Sequence, residues 1–236
     1  MPVIVVSLVA ATMAFTLSAS AGLGGSLILV PALSLLLGAK QGIALGALLL
    51  GANNVVKVIA YRRSVPLRTS IWVILLTVVG AAAGALLLID APDRLISIVV
   101  IVSFSAALLF ERMRMQRAQR AYAPALAFGA GATSGFSGTS GPLKGVALRN
   151  LRLDRLHFVG AASAVSLAND ATKSVIYSKA ELLDGSGVAV FLLALPLMPI
   201  ATLAGRRLNA SLGERWFTAL FWLVMAGYTA RLIFTW

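Results

Sequence analysis

Asn53-Asn54-Val55-Val56-Lys57-Val58-Ile59-Ala60-Tyr61 returns, without a gap, as Asn169-Asp170-Ala171-Thr172-Lys173-Ser174-Val175-Ile176-Tyr177. Asn, Lys and Tyr coincide in the two copies. At the same offset, the run Gly22-Leu23-Gly24-Gly25-Ser26 falls on Gly138-Thr139-Ser140-Gly141-Pro142. A chain that repeats a glycine-rich break, followed by a helix carrying Asn and Lys, reads as an internal duplication of the kind found in secondary transporters.

The chain around these motifs is apolar. Of its 236 residues 59% are hydrophobic and 12% charged, and the mean hydropathy is +0.93. Long apolar runs bounded by short polar loops specify an all-α, polytopic membrane protein. The net charge of +12 does not point to nucleic acid, because the cations cluster in the loops, as membrane topology requires. With no cysteine and a single histidine, His157, neither a disulfide nor a Cys/His metal centre is expected. No cofactor is expected and no set of catalytic residues is visible, so an enzyme is disfavoured.

Three long crossings are read in each half, at 42–62, 68–89 and 93–110, then at 156–178, 187–205 and 214–234. A different kind of segment precedes each trio. Residues 3–38 would make a helix of about 54 Å, too long for one crossing, and are interrupted at Gly22-Leu23-Gly24-Gly25. Residues 122–148 are interrupted at Ser134 through Pro142. Both are read as broken, re-entrant helical hairpins, glycine permitting the turn and Pro142 suiting a helix start. The repeats are then 1–117 and 118–236. The stretch Ser18-Ala19-Ser20-Ala21 resembles a signal-peptide cleavage site. It is read as retained, because no charged segment precedes it and it has a counterpart in the second half.

Loop charge orients this arrangement. The 111–120 loop, with Arg112, Arg114, Arg117 and Arg120, is placed in the cytoplasm. The loops holding Arg62, Arg63 and Arg68, then Arg149, Arg152 and Arg155, then Arg206, Arg207 and Arg215 follow it. The 90–94 and 179–184 loops, which hold four of the eight acids, fall outside. The two halves are thereby inverted relative to each other, in a protein expected to cross the bacterial cytoplasmic (inner) membrane many times.

Asn53, Lys57 and Tyr61 share one helix face, as do Asn169, Lys173 and Tyr177. Polar and charged groups at such depth belong against protein rather than lipid. Beside a hairpin tip that offers free N–H groups at a helix N-terminus, they describe an anion site. The expected substrate contacts are Asn53, Lys57, Asn169, Lys173, Gly24, Gly25, Ser26, Thr139, Ser140, Gly141 and Lys144. The plainer alternative is that the lysines snorkel to the headgroups and the tyrosines are interfacial. Asp170, whose repeat partner is Asn54, is the acid placed within the apolar interior. The pair is assigned to coupling with a proton or sodium ion, the alternative being that Asp170 neutralises Lys173. Gly80, Gly84 and Gly205 are read as sites of close helix packing.

The run Gly22-Leu23-Gly24-Gly25-Ser26-Leu27-Ile28-Leu29-Val30-Pro31, its degenerate copy at 135–145 and the Asn-x-x-x-Lys helices together resemble the sulfite exporter TauE/SafE family of membrane permeases. The resemblance covers nearly the whole chain. It implies transport of a small sulfur-containing or organic anion such as sulfite or sulfoacetate. The second motif departs from the family pattern, with more hydroxyls and Lys144. The function expected is a secondary transporter of an organosulfur, sulfite-like or carboxylate anion, working by alternating access and coupled to a proton or sodium gradient. An anion channel and a non-transporting membrane assembly factor are the alternatives. The expected partners are the anion, the bilayer, the coupling ion and a second copy in a homodimer, without nucleic acid.

Overall fold

The computed structural model describes residues 2–21, 25–112, 122–139 and 141–207. Among them are ten α-helices: α1 Pro2–Ala21, α2 Gly25–Leu37, α3 Ala39–Ala60, α4 Leu67–Asp90, α5 Asp93–Arg112, α6 Ala123–Ser137, α7 Gly141–Arg149, α8 Arg155–Lys179, α9 Gly185–Ala194 and α10 Leu197–Arg207. A single 3-10 turn, Arg62–Ser64, joins α3 to α4. α3 and α4, at 22 and 24 residues, are long and apolar enough to cross a membrane. α8 is longer, at 25 residues, but carries Asn169, Asp170 and Lys173, all buried against protein.

The short helices explain themselves by their ends. α2 has 13 residues and α7 has 9. At about 1.5 Å per residue neither reaches across a hydrocarbon core of about 30 Å. α2 turns into α3 through one residue, Gly38, whose φ of 98° suits glycine. Gly38 N–H donates back to the Ser34 carbonyl at 3.0 Å. Gly42 then lies directly on the backbone of Leu33 and Ser34, where a Cβ would collide. α6 ends in the same way. Gly138 has φ 82°, and its N–H donates to the Ser134 carbonyl at 3.0 Å. This is a left-handed glycine cap.

α4 and α6 pack backbone to backbone. Gly80 and Gly84 of α4 face the Phe128 and Ala132 carbonyls, and Gly131 and Gly135 of α6 face those of Thr77 and Ala81. Four glycines thus alternate across one seam, the close approach that small residues allow between membrane helices. The packing assigned to Gly80 and Gly84 is present. Gly205 lies in α10, where its surroundings are outside the described side chains.

α3 and α8 run antiparallel. Gly51 and Asn54 of α3 meet Asp170 of α8, while Ser64 just beyond α3 meets Gly160 near the start of α8. Loop charge segregates accordingly. Arg62, Arg63 and Arg152 lie at the end shared by Ser64 and Gly160. At the opposite end Lys40 Nζ donates to the Ile89 carbonyl at 2.7 Å, beside Asp90, and α8 finishes there before Glu181 and Asp184. Two exposed loop acids cap helices. Asp154 Oδ1 accepts from the His157 backbone N–H at 2.9 Å, and Asp184 Oδ1 from that of Gly187 at 2.8 Å. Those N–H groups hold both carboxyls below the usual carboxylate range.

The polarity of the molecule suits a bilayer. Leu75, Val79, Leu86 and Leu87 of α4, Ile59 of α3 and Val175 of α8 are exposed, whereas Asn53, Asn54, Lys144, Asn169, Asp170 and Lys173 are buried. In water both halves of that pattern would be costly. In hydrocarbon the exposed apolar faces cost nothing and the polar groups are protected.

Three expectations need correction or fall elsewhere. The second break does not begin at Ser134: α6 continues to Ser137, because Gly131 and Gly135 serve the α4 seam and the left-handed turn waits for Gly138. The stretch expected as one crossing at 187–205 is interrupted part-way along its length. α9 ends at Ala194 and α10 begins at Leu197, since Pro196 lacks the N–H that would continue α9. The 214–234 crossing, the repeat boundary at 117, and Arg114, Arg117, Arg120 and Arg215 lie outside the described residues.

Candidate functional site

The site is built where α3 and α8 cross. Asn54 Nδ2 donates to Asp170 Oδ2 at 2.8 Å, and the two residues stand 116 positions apart, the offset of the internal repeat. Each position therefore touches its own repeat counterpart. Gly51 packs alongside, where a Cβ would be in ordinary contact with the Asp170 Cβ at 3.5 Å.

The other carboxylate oxygen is also engaged. Lys173 Nζ lies 2.7 Å from Asp170 Oδ1, with the lysine side chain 1% exposed and the aspartate 8%. Lys173 Nζ donates a further bond to Ser134 Oγ on α6 at 3.0 Å. One turn later Tyr177, fully buried, donates its hydroxyl to the Gly135 carbonyl. Burial of two charges is tolerable only with close pairing and additional hydrogen bonds. Asn54, Lys173 and Ser134 supply these, binding α3, α8 and α6 into one polar knot.

Beside the knot is a partly open cavity of about 50 Å³. Its wall includes Gly25 and Ser26 at the start of α2, Asn54 and Lys57 of α3, and Ser134 and Gly138 of α6. Lys144 of α7 and Ser163, Ser166, Asn169 and Asp170 of α8 complete the polar lining. A water needs roughly 10–15 Å³ by such a measure, so the space suits a few waters or one small ion. Lys144 is 8% exposed and donates to Ser166 Oγ at 2.5 Å. The two broken segments meet here. Ser26 Oγ and Thr139 Oγ1 are 3.5 Å apart, and Gly138 lies against the Val30 side chain. The first residues of α2 bring N–H groups without intrahelical partners, and the positive end of a helix dipole, to the wall.

The expected site residues thus divide. Gly25, Ser26, Lys57, Lys144, Asn169, Asn54 and Asp170 share one cavity, and Thr139 adjoins it. Lys57 is partly buried and lines this cavity. Lys173 lies behind Asp170, outside the wall, where it neutralises the acid. Asn53 is buried but is not part of the wall. Gly141 begins α7, without being in the wall, and Gly24 and Ser140 lie outside the described residues. Tyr177 is a buried tie between helices, which an interfacial reading does not allow.

Three polar groups of the wall escape a reading by repeat. Ser134 belongs to a run that looks like a turn. Ser163 and Ser166 have no polar counterparts at Ala47 and Leu50. The available signal is helical spacing. Ser163, Ser166, Asn169, Asp170 and Lys173 recur every three or four residues along one stripe of α8.

A family model described as "Sulfite exporter TauE/SafE" matches residues 7–232. No curated protein and no solved structure matches the chain. The family match spans nearly the whole sequence and agrees with an all-helical chain that is apolar outside and polar within. The chain belongs to the sulfite exporter TauE/SafE family of membrane transporters.

Proposed function

We propose that this protein is a secondary transporter of a small organosulfur, sulfite-like or carboxylate anion, and that the cavity between Lys57 and Lys144 is its substrate site. One observation carries the proposal. Two lysines line the cavity wall whose acid, Asp170, is already neutralised by Lys173 at 2.7 Å. The surplus is positive, in surroundings where water screens little. Hydroxyls, an amide and the start of a helix complete a donor-rich lining, which favours an anion over a cation.

The arrangement of halves supports alternating access. Repeat-equivalent helices that cross antiparallel at equivalent residues are what a two-fold axis in the membrane plane requires. α2 and α7, too short to span, act as re-entrant half-helices ending beside the site. The arginine-bearing end, with Arg62, Arg63 and Arg152, faces the cytoplasm. A proton or sodium gradient drives transport, with Asp170 as the acidic group of the wall. Uptake into proteoliposomes of sulfite, sulfoacetate, thiosulfate and small carboxylates, with and without imposed gradients, tests this reading. Saturable uptake of at least one anion supports it, and equal leakage of all of them does not.

A further inference from the structure

Asn169 is 1% exposed and forms part of the cavity wall. Neither its Nδ2 nor its Oδ1 has a hydrogen-bond partner among the described residues. The conclusion does not depend on which way the amide is turned, because both ends are unpaired. Its neighbours are committed elsewhere. Asn54 holds Asp170, Lys173 holds Asp170 and Ser134, Lys144 holds Ser166, and Ser163 donates to the Val159 carbonyl.

A buried amide wants one acceptor for its N–H and one donor for its oxygen. Water supplies both, and the cavity has room for it. An anion that displaces this water must supply both as well, or leave one end of Asn169 orphaned. A fully deprotonated carboxylate or sulfonate presents acceptors alone. It satisfies Nδ2 and both lysines but gives Oδ1 nothing. An anion that also carries an O–H next to its charged group satisfies everything. Its anionic oxygen accepts from Nδ2 while its hydroxyl donates to Oδ1.

We propose that Asn169 selects anions bearing a hydroxyl beside the charged group, the hydroxycarboxylates and hydroxysulfonates, over otherwise similar anions that lack it. The proposal rests on the reading of the cavity as an anion site. A site built to hydrogen-bond a ligand O–H rejects the analogue without one, because its own polar group is then left unpaired.

The test is equilibrium binding to the purified full chain in lipid nanodiscs, using two pairs of probes: glycolate against acetate, and hydroxymethanesulfonate against methanesulfonate. The hydroxylated member of each pair should bind about tenfold tighter or better. In Asn169→Leu, which keeps the volume and removes both polar ends, that ratio should fall to near one. Asn169→Ala, which also removes both polar ends, replaces it if the leucine variant does not fold. Equal affinities within each pair in the wild-type protein overturn the proposal, as does a preference that survives in a folded Asn169 variant. Binding that needs Lys57 but ignores the hydroxyl removes only this proposal. Absence of binding by all four probes, with Lys57→Met indistinguishable from wild type, removes the anion site itself.

Discussion

Asn54 and Asp170, repeat counterparts 116 positions apart, hydrogen-bond to each other at 2.8 Å. Contact between two positions at the repeat offset is what the proposed two-fold relation of the halves would produce. The two positions differ in charge, because one is an amide and the other an acid. The acid recruits Lys173, while the counterpart Lys57 lines the cavity. The Asn-to-Asp difference therefore divides the labour between the two lysines.

Removing the acid should expose that division. Asp170→Asn leaves Lys173 buried without its counter-ion, which costs about 3–5 kcal/mol for a pair of this kind. Asp170→Asn combined with Lys173→Met should recover part of the loss. Thermal unfolding of the detergent-solubilised variants measures both. Strictly additive losses would mean that the pair is not coupled. In whatever fraction folds, uptake should depend less on the proton or sodium gradient.

The glycine seam is expected to be intolerant of side chains. Gly84→Leu and Gly131→Leu each drive a side chain into carbonyl backbone, which does not give way as a flexible side chain does. A loss of about 1–3 kcal/mol or more, seen as lower melting temperature or failure to accumulate in the membrane, is expected. Gly145→Ala, where nothing lies within 4 Å of the added Cβ, should be close to neutral and serves as the control.

Loop accessibility checks the inverted arrangement. The chain has no cysteine, so single cysteines can be introduced without a background. Cysteines at Arg63 and Arg152 should react with an impermeant thiol reagent from the cytoplasmic side alone. Cysteines at Asp90 and Glu181 should react from the opposite side alone. Labelling of positions 63 and 181 from one face would contradict the arrangement.

Much of this architecture was legible in the register of the Asn and Lys residues, and the reasons for the rest are physical. The repeat pairs Asn53 with Asn169, yet the second lines the cavity and the first does not. Which of two adjacent residues faces a site depends on helix rotation, and that is set by contacts such as Gly51 against Asp170, remote in sequence. Ser134 and Gly135 sit in a run of small residues that serves equally well as a turn or as a packed helix face. The contact of Gly135 with α4 decides for helix, and nothing local to 134–142 encodes it. Lys144 and Ser166 lack polar counterparts in the first half, at Ile28 and Leu50, so a search by repeat passes over their pairing.

Ser166→Ala isolates the role of the Lys144 contact. It removes the hydroxyl that receives Lys144 at 2.5 Å and leaves the charge. Loss of one such charge-assisted bond changes positioning by about 1.5–3 kcal/mol at most. Anion affinity should fall, by less than in Lys144→Met. Affinity unchanged in Ser166→Ala but lost in Lys144→Met would show that Lys144 needs no positioning.

If Lys57 and Lys144 hold the transported anion, equilibrium binding of sulfite to the reconstituted protein depends on both lysines. Lys57→Met and Lys144→Met each keep an apolar stem and remove a charge from the cavity wall. With folding verified, each should bind sulfite roughly tenfold to a hundredfold more weakly than the wild-type protein, the equivalent of about 1.5–3 kcal/mol for an ionic hydrogen bond. Undiminished binding in both variants would contradict the account.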